Sequence, residues 1–276
     1  MFKTSHKHSL AVLLALVVVS ATSTATFASH SWNNYHWART SNPFTLKVGN
    51  NVTYIWASQF NTSLTDWSNS SVMDLVSVAG GTTGRRCRMV AGTVQVCNST
   101  YGQNGWLGLA SINISGSHIT QGTAKMNDTY FNTSTYNNPN EKLHVMCQEI
   151  GHTFGLGHTT EDGSSQNTCM DYFSNTGANA TSTLSTHPNL HDYEMLASIY
   201  DHLDSTTTIS SSAIVAGKSE VTDDPNSWGS LMSQSRNGRS STYEKANADG
   251  SKTITHVFWT EEAAARGAMH DHRYDH

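Results

Sequence analysis

Short stretches of alternating hydrophobic and polar residues recur through the first half of the chain. Successive side chains of a β-strand point to opposite faces, so this alternation predicts strands with one buried face. The strand candidates are residues 44–48, 52–56, 86–90, 93–97 and 119–126, together with the apolar-rich, β-prone stretch 106–114. The pattern therefore predicts a sheet of several short strands before the middle of the chain.

A helical period follows in residues 139–154. Its hydrophobic positions are Leu143, Met146, Cys147, Ile150 and Phe154. Asn138 and Pro139 predict the start of this helix, because Asn caps a free backbone N–H and Pro fits the first helical position. Gly155 predicts its end, where a left-handed residue is favourable. Less regular helices are predicted at residues 65–76 and 190–203.

The two ends of the chain differ from the middle. Residues 1–28 combine a basic start, an apolar run too short to span a bilayer and small residues, which predicts a cleaved signal peptide. Residues 29–205 are interpreted as the main domain. Residues 206–276 are interpreted as a Ser/Thr linker and a small polar β-rich appendage, with one good strand candidate at 253–259. A secreted, extracellular protein is expected, with no membrane segment once the signal is removed.

Composition narrows the function classes. Charged residues make up 13% of the chain and the net charge is -5. No basic stripe is present, so nucleic-acid binding is not expected. A hydrophobic fraction of 37% is compatible with a folded core, and a monomer is expected.

Four cysteines in an exported chain indicate two disulfides. Three pairings are possible. Cys87–Cys97, which would close a short hairpin, and Cys147–Cys169 are favoured over the others. A zinc site made by the four cysteines is the rival interpretation, although no close Cys pair supports it.

Candidate chemistry lies on the predicted helix and just after it. Gln148 and His152 are four residues apart and therefore project from one face. A sharp turn at Gly155 can bring His158 back beside His152. Glu149 then remains as a carboxylate that is not needed as a ligand. Three ligands, an open position and a nearby base are what zinc-dependent hydrolysis requires.

This segment resembles the metzincin zinc peptidases, whose pattern is His-Glu-x-x-His-x-x-Gly-x-x-His. Glu149, His152, Gly155 and His158 match, and Gln148 stands where the family has its first His. The downstream segment Thr168-Cys169-Met170-Asp171-Tyr172 is similar to the family's Met-turn, with Met170 as the methionine under the metal.

The resemblance implies a metzincin-like α+β fold, with a twisted mixed sheet, an active-site helix, a Met-turn and a C-terminal helix. It implies Zn²⁺ held by Gln148, His152 and His158, with Glu149 as the general base and Tyr172 assisting the oxyanion. The implied activity is endopeptidase cleavage of an extended peptide or protein substrate, laid along an edge strand at residues 107–112.

Gln148 leaves two interpretations open, because an amide oxygen is a weaker zinc donor than an imidazole. Either Gln148 binds the metal, or the metal is lost. His144, one turn earlier, is expected at the surface. The rival functions are a non-catalytic secreted binding protein on the same fold and a structural or adhesive surface protein, which the Ser/Thr/Asn bias suggests.

Overall fold

The computed structural model describes residues 30–210 and 222–267, so the predicted signal peptide lies outside the described residues. The helices are α1 (Ala57–Trp67), α2 (Asp128–Phe131), α3 (Pro139–His152), α4 (Leu190–Ile199) and α5 (Glu261–Ala265). The strands are β1 (His36–Trp37), β2 (Phe44–Asn51), β3 (Met73–Ala79), β4 (Val94–Ser99), β5 (Trp106–Ser115), β6 (His118–Asn127), β7 (Ser230–Gln234), β8 (Ser240–Ala246) and β9 (Lys252–Trp259). The predicted α+β fold class is confirmed. Among these residues, no helix has the length and apolar character to cross a membrane.

All the described strands belong to one mixed sheet. Its order is β3-β2-β4-β6-β5-β9-β8-β7, and β1 pairs separately with β6. The β3-β2-β4-β6 half is parallel, whereas the β6-β5-β9-β8-β7 half is antiparallel. Strands β7, β8 and β9 come from the segment interpreted as an appendage. They extend the main sheet instead, because β9 pairs with β5 along most of its length.

The pairing of β5 corrects one expectation. This strand is bonded to β6 on one side and to β9 on the other. Both edges are therefore occupied, and the prediction that a peptide substrate lies along residues 107–112 is wrong. The near-continuous burial of β5 reflects this central position, since a strand covered on both faces shows no alternation.

Three local predictions are also wrong. Residues 52–56 lead into a 3-10 helix and α1, where Phe60, Leu64 and Trp67 form a buried helical face that Ser and Asn residues obscure in the sequence. Part of the predicted helix 65–76 is β3. Residues 86–90 form no strand, because Cys87 has a left-handed φ of 43°.

Helix α3 packs against the sheet and is the best-specified element. The side chain of Asn138 accepts a hydrogen bond from the Glu141 amide at 2.8 Å, and Pro139 occupies the first turn, as predicted. Helix α1 packs beside α3, where the indole of Trp67 donates to the carbonyl of Cys147 at 3.1 Å. Cys147 is bonded to Cys169, and Cys87 to Cys97. The helix is thus fixed to both α1 and the predicted Met-turn.

The turn after α3 depends on Gly155. Its φ is +97°, and a Cβ at this position would overlap the carbonyl oxygen of Tyr35. The Gly155 carbonyl accepts a hydrogen bond from the Trp32 amide at 2.8 Å, and the Gly157 amide donates to the His30 carbonyl. The backbone of residues 30–35 is therefore in direct contact with the backbone at the end of α3.

We expect Gly155→Ala to lower the free energy of unfolding by more than about 4 kcal/mol, because it combines a left-handed backbone with a backbone overlap. Gly116→Ala is the matched control, since Gly116 has a φ of +63° and open space around it. That variant should lose only about 1–2 kcal/mol. Urea unfolding of both variants measures the difference, and equal losses would refute the close-approach explanation.

Candidate metal centre

His152 ends α3 with its side chain fully buried. Its Nδ1 lies 2.8 Å from the carbonyl oxygen of Leu156, and a carbonyl can only accept, so Nδ1 carries the proton. The lone pair is then on Nε2, which lies 2.9 Å from Nε2 of His158. The turn at Gly155 thus brings His158 beside His152, the arrangement expected from the spacing.

A third histidine, His256 of β9, completes the cluster. Its ring centroid is 4.0 Å from that of His152 and 4.7 Å from that of His158. The candidate ligand atoms of the three residues all lie within 4.8 Å of one another. Nδ1 of His256 lies 3.3 Å from Oε2 of Glu149, so Nδ1 donates and Nε2 again offers a lone pair.

Sequence reasoning missed His256. The strand that carries it was predicted, but the residue was not considered a ligand because it is far from the helix in sequence. The available signal was weak. His256 is an imidazole at an inward-facing position of a strand otherwise made of β-branched and aromatic residues. The run is Thr253-Ile254-Thr255-His256-Val257-Phe258-Trp259. Only the pairing with β5 shows which side chain it meets.

Tyr172 contacts the cluster, and Met170 packs on the helix that carries His152. The hydroxyl of Tyr172 is 2.6 Å from Nε2 of His158 and 2.9 Å from Nε2 of His256. The Met170 sulfur packs against α3, since a Cβ at Gly151 would lie 2.7 Å from it. Both side chains are buried, and the Cys147–Cys169 disulfide ties their segment to the helix.

Gln148 uses the two ends of its amide differently. Its Nε2 donates to the carbonyls of Cys169 and Asp171 at 2.9 and 2.7 Å. Its Oε1 is buried and has no hydrogen-bond partner among the described residues. The amide therefore anchors the Met-turn to α3. The expectation for His144 was wrong, because that residue is fully buried and its imidazole contacts Asn175 and the carbonyl of Asp171.

Burial controls the charge state of the cluster. Loss of solvent lowers the pKa of His152 and of His158 well below the usual value, and the neighbouring imidazoles lower it further. Burial also raises the pKa of Glu149, an effect that His256 opposes. His152 and His158 are thus held neutral at physiological pH, which is the form that binds metal.

Access to the cluster is partly covered. The indole of Trp32 stacks on the His152 ring, with centroids 4.7 Å apart and an interplanar angle of 3°. A cleft of about 290 Å³ lies alongside, lined among others by Trp32, His158, Glu161, Met232 and Glu244. His158 is therefore the ligand candidate that faces the cleft.

The donor set fits Zn²⁺. Three neutral imidazoles directed at one point are a common zinc environment, and they leave a fourth position for water or substrate. Two of them have their second nitrogen fixed by a hydrogen bond, to Leu156 and to Glu149, which sets the tautomer that a metal needs.

No protein-family model and no curated protein matches the sequence. Among solved structures, the chain is similar to myroilysin at 14% identity and a TM-score of 0.36, over 62% of this chain and 84% of that one. It is also similar to high choriolytic enzyme 1, a hatching enzyme zinc-protease from Oryzias latipes (medaka fish), at 10% identity and a TM-score of 0.35, over 61% of this chain and 96% of that one.

We expect His256→Ala to weaken zinc binding at this centre by more than the 10–100-fold that loss of an outer-shell partner typically costs, because it removes a direct ligand. His187→Ala is the control, since this half-exposed histidine pairs with Asp66 outside the cluster. Competition titrations with a zinc chelator measure both. Unchanged affinity in His256→Ala would remove β9 from the site.

The same titration decides the role of Gln148. If its amide only anchors the Met-turn, Gln148→Ala lowers thermal stability with a smaller effect on zinc affinity than His256→Ala. A loss of affinity as large as that of His256→Ala would instead make Gln148 a ligand.

A second prediction concerns the pH dependence of stability without metal. His158 remains neutral in the folded state, whereas in the unfolded state it binds a proton below a pKa of about 6.5. The unfolded state then binds more protons, so stability falls as the pH drops below that value, by up to about 1.4 kcal/mol per pH unit for one group. Urea unfolding of chelator-treated wild type and His158→Gln should show the steeper loss in the wild type. If the free energy of unfolding depended on pH in the same way in both proteins, the prediction would be contradicted.

Proposed function

We propose that the protein is a secreted zinc endopeptidase in which His152, His158 and His256 hold the metal. The observation that supports this proposal is the convergence of three buried imidazoles on one point, with a carboxylate and a phenol in contact with them. A structural zinc site normally has four protein ligands, whereas three ligands leave a position open for chemistry.

Zinc bound there would supply an electrophile that lowers the pKa of a coordinated water to about 7. Glu149 would act as the proton acceptor and return the proton to the leaving amine. Its desolvated carboxylate has a raised pKa, which brings it closer to the working pH and suits it to proton transfer. The carboxylate also accepts a hydrogen bond from Nδ1 of His256, so the same side chain would orient a metal ligand and transfer a proton.

Tyr172 would assist by hydrogen bonding. Its hydroxyl contacts two of the proposed ligands, and burial raises its pKa well above the usual value, so it stays protonated. A neutral phenol can donate to an oxygen that gains negative charge during peptide hydrolysis. Its place between His158 and His256 is where such an oxygen would form.

The substrate would be an extended peptide bound beside β7 instead of β5. Strand β7 is the last strand of the sheet order, and its outer edge carries no partner strand among the described residues. Met232 and Ser233 of β7 line the same cleft as His158, and Met232 is 59% exposed. An open strand edge with an apolar side chain favours recognition by strand addition.

Two features support the proposal that the protein is secreted. The Cys87–Cys97 and Cys147–Cys169 disulfides suit an oxidising compartment, and residues 1–28 have the composition of a signal peptide.

A non-catalytic metal-binding protein is the second candidate, and Trp32 is the observation that favours it. Its ring covers His152, and both His152 and His256 are fully buried. Substrate would therefore have to enter from the side of His158. The two candidate functions differ in whether the metal-loaded protein hydrolyses a peptide.

We expect Glu149→Gln to retain zinc and lose peptide hydrolysis by about a hundredfold or more, the usual contribution of acid–base catalysis. The amide oxygen of Gln can still accept from His256 Nδ1–H, so the ligand stays in place, whereas Glu149→Ala should lose both metal affinity and activity. Glu244→Gln, which changes another carboxylate of the cleft whose ion-pair partner is Lys252, is the control. Zinc content and cleavage of an unstructured protein are measured in parallel.

Full activity in Glu149→Gln with zinc retained would reduce Glu149 to a positioning residue. No hydrolysis by the zinc-loaded wild type would favour the binding protein.

A further inference from the structure

A second group of histidines lies outside the centre described above. His36 of β1 and His118 at the start of β6 face each other in the parallel pairing of the two strands. His202 and Asp204 follow α4. None of these residues belongs to the first cluster, and none was singled out in the sequence.

The candidate ligand atoms of His36, His118 and Asp204 all lie within 4.8 Å of one another, and His202 lies beside this group. Oδ1 of Asp204 lies 3.1 Å from Nε2 of His118, 3.5 Å from Nε2 of His36 and 3.8 Å from Nε2 of His202. Nε2 of His36 lies 3.2 Å from Nε2 of His202. Ligands about 2.0–2.1 Å from a tetrahedral zinc ion are about 3.3 Å from one another, and these four separations lie close to that value.

The hydrogen bonds of two histidines favour a positive species between their Nε2 atoms. Nδ1 of His36 lies 2.7 Å from the carbonyl of Asn34, and Nδ1 of His202 lies 3.2 Å from a carboxylate oxygen of Asp201. Both acceptors require a proton on Nδ1, which leaves lone pairs on the two facing Nε2 atoms. Two lone pairs at this distance repel each other unless a positive species lies between them.

Hydrogen bonds from Arg39 fix the orientation of the fourth candidate ligand, Asp204. Oδ2 of Asp204 accepts from Nη1 of Arg39 at 3.0 Å and from the Arg39 amide at 3.1 Å. Arg39 is buried, and its Nη2 donates to the carbonyl of His202. One oxygen of Asp204 is thus occupied by Arg39 and the other is directed at the histidines, which is how an outer shell orients a metal ligand.

We propose that His36, His118, His202 and Asp204 form a second, structural zinc site. Three imidazoles and one carboxylate suit Zn²⁺, and four protein ligands leave no open position for catalysis. His118 and His202 are 34% and 48% exposed, so an ion can enter from solvent. The ion would join β1, β6 and the segment after α4, and so fix the segment that carries Trp32 to the body of the protein.

Zinc stoichiometry tests the proposal. The purified full-length protein is loaded with excess Zn²⁺, desalted and analysed for zinc per chain, and two equivalents are expected. His118→Gln and His202→Gln should each retain one equivalent, and the second should bind at least a hundredfold more weakly in chelator competition. Both positions are partly exposed, so these variants are expected to fold, and near-UV circular dichroism checks it.

The controls separate the two sites. His187→Gln, a half-exposed histidine in neither group, should keep two equivalents. His256→Ala should lose the other equivalent, so a failure of the first centre leaves this result intact. Co²⁺ in place of Zn²⁺ should give a tetrahedral absorption spectrum in His256→Ala that disappears when His118→Gln is added.

Two results would overturn the second site. One is that the wild type binds a single zinc ion and that His256→Ala abolishes this binding. A proton shared by His36 and His202 would then supply the positive charge between their Nε2 atoms. The other is a second equivalent that survives both His118→Gln and His202→Gln.

Discussion

The pairing of β9 with β5 is the contact on which the candidate metal centre depends. Helix α3 alone provides His152 and Glu149, and the turn at Gly155 adds His158. The third imidazole is present only because β9 lies beside β5, in continuous register from Ile114 to Gly108. That register turns His256 toward α3, where the Glu149 carboxylate fixes its tautomer. A shift of one residue would turn it to the opposite face.

Elements with strong local signals could be predicted from the sequence. Helix α3 has a capping residue, a first-turn proline and one apolar face, and strands 106–114 and 119–126 carry long β-prone runs, so each can be recognised within its own segment. The side of β5 on which a neighbour lies has no such local signal. The edge-strand prediction therefore failed, and His256 was missed for the same reason.

Gln148 shows how far a local motif determines a site. Its position in the helix is that of a ligand, but its amide has two donors, and the carbonyls of Cys169 and Asp171 accept both. An amide that donates twice to the Met-turn stabilises the floor of the centre. An imidazole could not make both bonds, because its neutral ring has one N–H. The amide nitrogen at the first motif position thus has a supporting contact, whereas the amide oxygen has no hydrogen-bond partner among the described residues.

The order in which the ligands occur along the chain has a consequence for the timing of activity. Glu149 and His256 are 107 positions apart, and the strand that carries His256, β9, is the last of the described strands. A nascent or partly exported chain without β9 can form α3 and its turn, yet it holds only two of the three proposed histidine ligands. If the protein is a peptidase, the newly made chain is inert until its final strand has joined the sheet. The producing cell would be protected during synthesis without a separate inhibitor.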